Sequence, residues 1–316
     1  MNNKPIAIMG VFAVDLAFRV KRLPVWGETV LGSEFRLGPG GKGSNQSVAA
    51  ARLGATVYFI SKVGTDNFSE IARKTYEIEG VNTQFLISSS CDTTGAAAII
   101  IDESSGENAI VITPGAANAL TPQEIDLACE QIRISAAFMT QLELPVPVVV
   151  HGLKTARELG VPTILNPAPA CALDDATLAL CDYLTPNESE AATLTGCSVD
   201  SLDDAEKAAE QLLSRGVRNV IMTLGARGAL IKTPTLTKYI AAFNAGPVID
   251  TTGAGDAFNG GLAVGLSEGM TIEEATRFGC IVAGISVTRH GTAPSMPKRS
   301  ELDKYTQQSS TTKNSS

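Results

Sequence analysis

Two glycine-rich stretches hold the residues of this 316-residue chain best suited to chemistry. The first, GPGGKGSNQS (residues 38–47), sets Lys42, Ser44 and Asn45 at the mouth of a glycine turn that runs into a helix. The second, DTTGAGDAFNGG (residues 250–261), puts Gly253, Ala254 and Gly255 ahead of a helix reading from Asp256 to about Ser267. Small residues there let consecutive free N–H groups converge on one spot, and with the helix macrodipole such amides make an anion site. Asp256 in the first turn would also serve as an N-cap, worth ~1 kcal/mol. A cap, however, needs neither three small residues before it nor Asn259-Gly260-Gly261 after it. A carboxylate beside an anion cradle is what phosphoryl transfer to a hydroxyl requires: a base for the alcohol proton and donors for the transferred charge.

The first stretch invites two other readings, and its context rejects both. Gly38, Gly40 and Gly43 spell G-x-G-x-x-G, the dinucleotide fingerprint. That motif should follow the first strand, with an acidic residue ~20 positions on at the end of the second. Here the glycines follow a β excursion, and the next strand, TVYFIS, ends in Ser61–Lys62 with Asp66 beyond a further turn. As a phosphate loop the stretch lacks a hydroxyl after Lys42, because residue 43 is glycine. What remains suits a small polyhydroxyl ligand: glycines admit a close backbone approach, and Asn45 both donates and accepts.

The elements that must position these residues alternate. PIAIMGVF reads as a buried first strand, SNQSVAAARLG as a helix stopped by Gly54, and TVYFISKVG as another buried strand. Thr121-Pro122-Gln123-Glu124 is a capping box opening a helix toward Ile132, and Thr271-Ile272-Glu273-Glu274 opens one ending near Arg289. Between them come strands at AAFMTQLE, PTILN, DYLTPN and RNVIMTLG, with helices at VVVHGLKTARELG and Ser201–Ser214. This alternation predicts an α/β fold, a Rossmann-like, mostly parallel sheet flanked by helices. Two less regular β segments, near 15–37 (AFRV, ETVLGSEFRL) and 94–112, predict a small separate sheet. Residues 305–316, with QQSSTTKNSS, read as a disordered tail, leaving 1–304 as one domain.

Bulk properties narrow the partners. The net charge is −8 and no basic run stands out, which argues against nucleic acid and anionic membranes. No stretch approaches the ~18 apolar residues that span a bilayer, and PIAIMGVFAV is closed by Asp15 with no cleavage site. Six cysteines without C-x-x-C spacing and only two histidines give no zinc pattern; the thiols read as reduced residues of a cytoplasmic protein. His151 falls on a solvated helix face and His290 beside a loop; neither is assigned a role.

In this order and about 210 residues apart, the two glycine-rich stretches resemble the paired signatures of the ribokinase-like (PfkB) family of sugar kinases. GETV (27–30), QLELP (141–145), NPAPA (166–170), TPNESE (185–190), TLGARG (223–228) and VTRHGTAPSMP (287–297) extend the similarity across roughly residues 5–300. The resemblance implies transfer of the γ-phosphoryl of ATP to the primary hydroxyl of a pentose, ribose or 2-deoxyribose, with Mg2+ and an activating K+. It implies Asp256 as the base, with Gly253, Ala254 and Gly255 cradling phosphoryl charge. Asp15, Gly41, Lys42, Gly43, Asn45 and Glu143 would contact the sugar. Asn187 and Glu190 would serve the ATP phosphates and the magnesium water shell, and Thr223, Gly225, Gly228, Gly255 and Cys280 would flank the nucleotide. Asp250, Thr252, Ser286, Arg289, Gly291 and Ser295 would hold the monovalent cation, partly through backbone carbonyls. The segments near 15–37 and 94–112 would form a β lid that closes over the sugar and pairs two subunits. Trp26, in the predicted lid, reads as filling a lid interface rather than stacking on the sugar.

Two positions depart from the pattern. Where the family usually has Asn two residues before the sugar-binding Asp, this chain has Ala13; Cys280 stands where a polar residue often lies near adenine. A nucleoside or sugar-phosphate kinase of the same fold remains an alternative, the latter suggested by Arg19, Lys21 and Arg22. So does a non-catalytic sugar-binding regulator, which would have no use for Asp256 behind Gly253–Gly255.

Overall fold

The computed structural model describes residues 4–302, 304 and 305. In chain order the first half contains β1 (Ile6–Met9), β2 (Ala13–Val20), β3 (Glu34–Gly40), α1 (Lys42–Arg52), β4 (Val57–Val63), α2 (Asn67–Glu79), β5 (Asn82–Ser88), β6 (Thr94–Asp102) and β7 (Asn108–Gly115). There follow α3 (Pro122–Asp126), α4 (Cys129–Ile134), β8 (Ala137–Gln141), α5 (Val146–Glu158), β9 (Thr163–Asn166), α6 (Asp175–Leu178), β10 (Tyr183–Leu184), α7 (Glu188–Thr195) and α8 (Leu202–Ser214). The chain closes with β11 (Asn219–Thr223), β12 (Ala229–Lys232), β13 (Thr237–Ile240), α9 (Ala254–Ser267) and α10 (Ile272–Ser286).

Nine strands form one sheet in the order β13-β12-β11-β10-β9-β8-β1-β4-β5. It is parallel from β5 to β11, and the β12–β13 hairpin adds an antiparallel edge. Strands covered on both faces read as unbroken apolar runs, and every residue of β1 and β8 is buried. The candidate residues therefore sit around the carboxyl ends of a parallel sheet, where open α/β folds place ligands.

The second sheet has the order β3-β2-β6-β7: two antiparallel hairpins joined by parallel pairing of β2 with β6. Ala13 and Val14 are wholly buried and root this sheet in the core, while Asn108–Thr113 of β7 are exposed. The predicted excursions thus exist, with different bounds. Residues 21–33 are not strand: Pro24 and Gly27 turn the chain, and Glu28 instead accepts from Val25 N and pairs with Arg22.

Two predicted helices also differ. The helix opened by Thr121 forms its capping box but breaks after Asp126. A tight turn from Ala128 N to Ile125 O lets Ile125, Ala128 and Ile132 all reach the core. α10 stops at Ser286, not near Arg289, because Val287 O accepts from the amides of Ile249 and Asp250 and the chain is drawn toward them. α2, β5 and the β12–β13 hairpin carry no counterpart in the sequence reading. Most of the expected tail lies outside the described residues, but Tyr305 packs edge-on against Phe243, with ring centroids 5.2 Å apart. No helix among the described residues is long and apolar enough to cross a membrane.

Candidate active site

α1 and α9 begin alike. Each is entered through a glycine at positive φ, Gly41 (φ 87°) and Gly253 (φ 79°), with no side-chain cap. At Gly41 a Cβ would meet Val11 O and Ala13 N, so only glycine fits that turn. The two helices pack closely because Gly260 leaves no room for a side chain against Ala49. Gly261 makes the same approach to Val282 of α10. These two glycines, which set the second motif apart from a plain cap, therefore serve packing.

That approach brings residues 211 positions apart into contact. Asn45 Nδ2 donates to Asp256 Oδ2 at 2.9 Å, and Gln46 Nε2 donates to Asp256 Oδ1 at 3.0 Å. Asp256 is at the third position of α9 but caps nothing; its carboxylate is turned to α1. Among the described residues, no group accepts from the amides of Gly255 and Asp256. Both residues line a polar cleft of roughly 170 Å³, shared with Lys42, Asn166, Ala168, Thr185, Asn187, Glu190, Thr223, Gly253 and Asn259. The two glycine-rich stretches thus face one cavity.

Acids gather in and beside the cleft around the Lys42 ammonium. Burial raises the Asp256 carboxyl above the usual range, against the pull of Lys42 and the amides of Asn45 and Gln46. Burial also pushes Glu143 up to about 7, with Lys42 and its own amide opposing and Asp256 and Asp15 adding. Asp15 rises to about 6, chiefly through burial, although the Thr292 hydroxyl donates to it at 3.2 Å. Burial works against the Lys42 ammonium, yet Asp256, Glu143 and Glu190 together raise it. Glu143 Oε2 accepts from Lys42 N at 2.8 Å, closing that amide.

On the far wall Asn187 is the N-cap of α7 and forms a capping box with Glu190. Thr223 N donates to Pro186 O at 2.9 Å, so β11 delivers Thr223 beside Asn187. Gly225 (φ 55°) and Gly228 (φ 100°) shape the following turn; a Cβ at Gly228 would overlap Ile240 O. Cys280 departs from this polar group: it is buried among Ile221, Ile240, Phe258 and Leu262, and burial pushes its thiol up to about 11.

Most residues expected to hold a monovalent cation converge behind the start of α9. Asp250 Oδ1 accepts from Thr252 N at 2.9 Å and Oδ2 from Gly291 N at 3.0 Å. Ser286 and Ser295 turn their hydroxyls to the carbonyls of Ala283 and Thr292. The Arg289 guanidinium is taken by Glu301, which leaves only its backbone for an ion. The groups of this loop that could face an ion, the Asp250 carboxylate and backbone carbonyls, are all oxygens, the donor type a hard cation takes. Among the described residues no cluster of three or more His, Cys, Asp or Glu side chains forms a metal site. Of the unassigned side chains, His151 pairs with Asp126 at 2.7 Å, His290 is exposed, and Trp26 is fully exposed.

Gln46, Gln141, Asn166, Thr185, Asn259 and Thr292 belong to the site and were not singled out from the sequence. Thr185 Oγ1 donates to Asn259 Oδ1 at 2.6 Å, and Thr292 Oγ1 also donates to Pro39 O at 3.0 Å. The available signal was polar residues ending apolar strands: AFMTQ of β8 and TILN of β9.

Comparison with known proteins agrees with this arrangement. Residues 3–299 match the pfkB family carbohydrate kinase profile. The chain is 40% identical to a ribokinase of Haemophilus influenzae over 95% of its length and 97% of the relative's. It is 37% identical to a deoxyribokinase of Salmonella typhi over 95% and 98%. The solved structure of Arabidopsis thaliana ribokinase complexed with ribose and ATP superposes with a TM-score of 0.90 at 30% identity, covering 95% of this chain and 98% of that one. With its fold, its facing glycine-rich turns and these similarities, the chain belongs to the pfkB family of carbohydrate kinases.

Proposed function

We propose that this enzyme transfers the γ-phosphoryl group of ATP to the primary hydroxyl of a pentose, with Asp256 as general base. One observation carries the reading: a buried carboxylate, held by α1, shares a cleft with the unpartnered amides that begin α9. The sugar oxygen attacks the γ-phosphorus as its proton passes to Asp256, and the bond to the bridging β,γ-oxygen breaks to release ADP. The amides of Gly255 and Asp256 meet the charge on the transferred group. Lys42 adds a positive charge on the same side, and Asp15, Asn45 and Glu143 bind sugar hydroxyls. Asn187 and Glu190 would hold the water shell of Mg2+, which would neutralise phosphate charge. Glu190 and Asp256, the two acids that line the cleft with Lys42, would favour a divalent cation there. Residues around Asp250 and Gly291 would hold K+, partly through backbone carbonyls.

Asp256→Asn should lower kcat by about two to four orders of magnitude with little change in sugar binding. Steady-state kinetics with ribose and 2-deoxyribose checks this, and near-normal turnover overturns it.

The sugar is narrowed by Ala13. It is wholly buried in β2, two residues before Asp15, and a methyl group offers no hydrogen bond. A sugar hydroxyl left without a partner costs ~1–3 kcal/mol, enough for a tenfold change in preference. This supports 2-deoxyribose as the preferred pentose; kcat/KM on the two sugars decides, and a strong ribose preference overturns it. Arg19 pairs with Glu34 on the β sheet and Arg22 with Glu28 in the connection between β2 and β3, which weighs against a phosphate subsite there. Phe18, Phe35, Leu37, Ile110, Val111 and Ile112 are exposed on that sheet. Such a patch supports pairing of two copies through their lids, and sedimentation of the purified chain tests it.

A further inference from the structure

Gln46 is wholly buried, and its amide belongs to a directed chain. Its Oε1 accepts from Gln141 Nε2 at 2.5 Å. Its Nε2 donates to Asp256 Oδ1 at 3.0 Å and to Asn166 Oδ1 at 3.1 Å. Asn166 Nδ2 in turn donates to Thr185 O at 3.1 Å. Turned over, the Gln46 amide would press its oxygen against a carboxylate oxygen, so the charge on Asp256 selects the orientation seen. Gln141 supports it from behind and gets close enough only because residues 10 and 43 are glycine. Gln141 Oε1 has no partner among the described residues. Three buried amides cost more than the apolar residues that could fill the same space, unless they serve a charge.

We propose that Gln46 is a positioning residue: the Gln141–Gln46–Asn166 relay holds the Asp256 carboxylate in one orientation, ready to accept the hydroxyl proton. The inference rests on Asp256 acting as the base. The charged groups facing that carboxylate are Lys42 from α1, Asp15 from β2, Glu143 from the segment after β8 and Glu190 from α7. Three of these four are acids, each raised by burial and further by the charge on Asp256. The neutral donors of Asn45 and Gln46 work with Lys42 against the cost of burying that charge, without adding a charge that would compete for phosphate.

The test is the pH dependence of kcat in Gln46→Met, Gln46→Leu and Gln141→Met. Removing a donor to a carboxylate favours its protonated form. The acidic limb of Gln46→Met should therefore move to higher pH by about one unit, with kcat at neutral pH down by about tenfold or more. The sugar KM should stay within about threefold. Gln141→Met, one step removed from the acid, should shift the limb the same way by less, and it carries the test if both Gln46 variants fail to fold. In the Asp256→Asn background, Gln46→Met should add less than about threefold, because residues acting through one group are not additive. An unshifted limb, a loss carried entirely by KM, or losses that multiply in the double variant would overturn the relay. Near-normal turnover of Asp256→Asn removes the base and the relay together. A crippled Asp256→Asn beside an unshifted Gln46→Met removes the relay alone.

Discussion

The starts of α1 and α9 look interchangeable as local structure, since both leave a glycine at positive φ and neither has a side-chain cap. By contrast α2, α3, α7, α8 and α10 are each capped by an Asp, Thr, Asn or Ser. The starts of α1 and α9 diverge in what closes their amides. At α1, Lys42 N goes to Glu143, Ser44 N to Val11 O and Asn45 N to Gly41 O. At α9, the amides of Gly255 and Asp256 find no acceptor among the described residues. Orphan helix amides must be met by side chains, water or ligand. At α1 Gly43 N alone lacks an acceptor among the described residues, so α1 is the more closed start and presents side chains, while α9 is the more open and presents backbone.

The contrast predicts opposite behaviour for the same substitution. Gly255→Ala adds a methyl group that meets no heavy atom within 4 Å, at an ordinary helical position. The fold should be unharmed or slightly stabilised, by up to ~1 kcal/mol. Turnover should fall by about tenfold or more, because the methyl group intrudes where phosphoryl charge must sit. Gly43→Ala should do the reverse. Its Cβ would lie 2.7 Å from Gly10 Cα and 2.8 Å from Gln141 Oε1, a clash costing about 1–3 kcal/mol of stability. Thermal melts with steady-state kinetics on both variants check the pair; equal loss of stability breaks the comparison.

A smaller effect probes how α1 is closed. Glu143 has its carboxyl raised from 4.5 to about 7. The folded chain therefore binds more protons than the unfolded chain between these values, so this group's stabilising contribution is present below about 4.5 and is lost as pH rises toward 7. Asp15 acts the same way over a narrower window, from 3.8 to about 6. Glu143→Gln removes its share, so its melting temperature should decline less steeply than the parent's between those pH values. Parallel curves would show that Glu143 is not strained by burial. The smallest effect belongs to the loop behind α9. Replacing potassium by sodium should lower kcat by about twofold to tenfold through small displacement of the open amides, and indifference to the cation would remove that loop from the mechanism.

Much of the architecture was legible because it depends on short-range patterning. Apolar runs announced β1, β4 and β8, and the capping boxes at Thr121 and Thr271 start helices where the sequence puts them. What escaped was decided by distant partners. The break after Asp126 follows from the need of Ile125 and Ile132 to reach one core, and the early end of α10 from amides at 249 and 250. Cys280, which the resemblance puts near the nucleotide, packs in an apolar cluster. Asp256, Asn45 and Lys42 were visible as candidates because glycine-rich turns are rare and locally costly. Gln46 and Gln141 were not, since a lone amide in a helix or strand carries no pattern.

The alternation of strands and helices, the two glycine turns and the residue types at their mouths are readable from the chain alone, because each depends on backbone freedom within a few positions. That these turns meet is a matter of packing. Gly260 lets α9 settle on α1, so Asn45 and Gln46 take hold of a carboxylate more than two hundred residues away. Packing also decides which helix start stays the more open. Closing an amide takes an acceptor from elsewhere in the chain, and Glu143 and Val11 supply one at α1 while nothing among the described residues does so at Gly255 and Asp256 of α9.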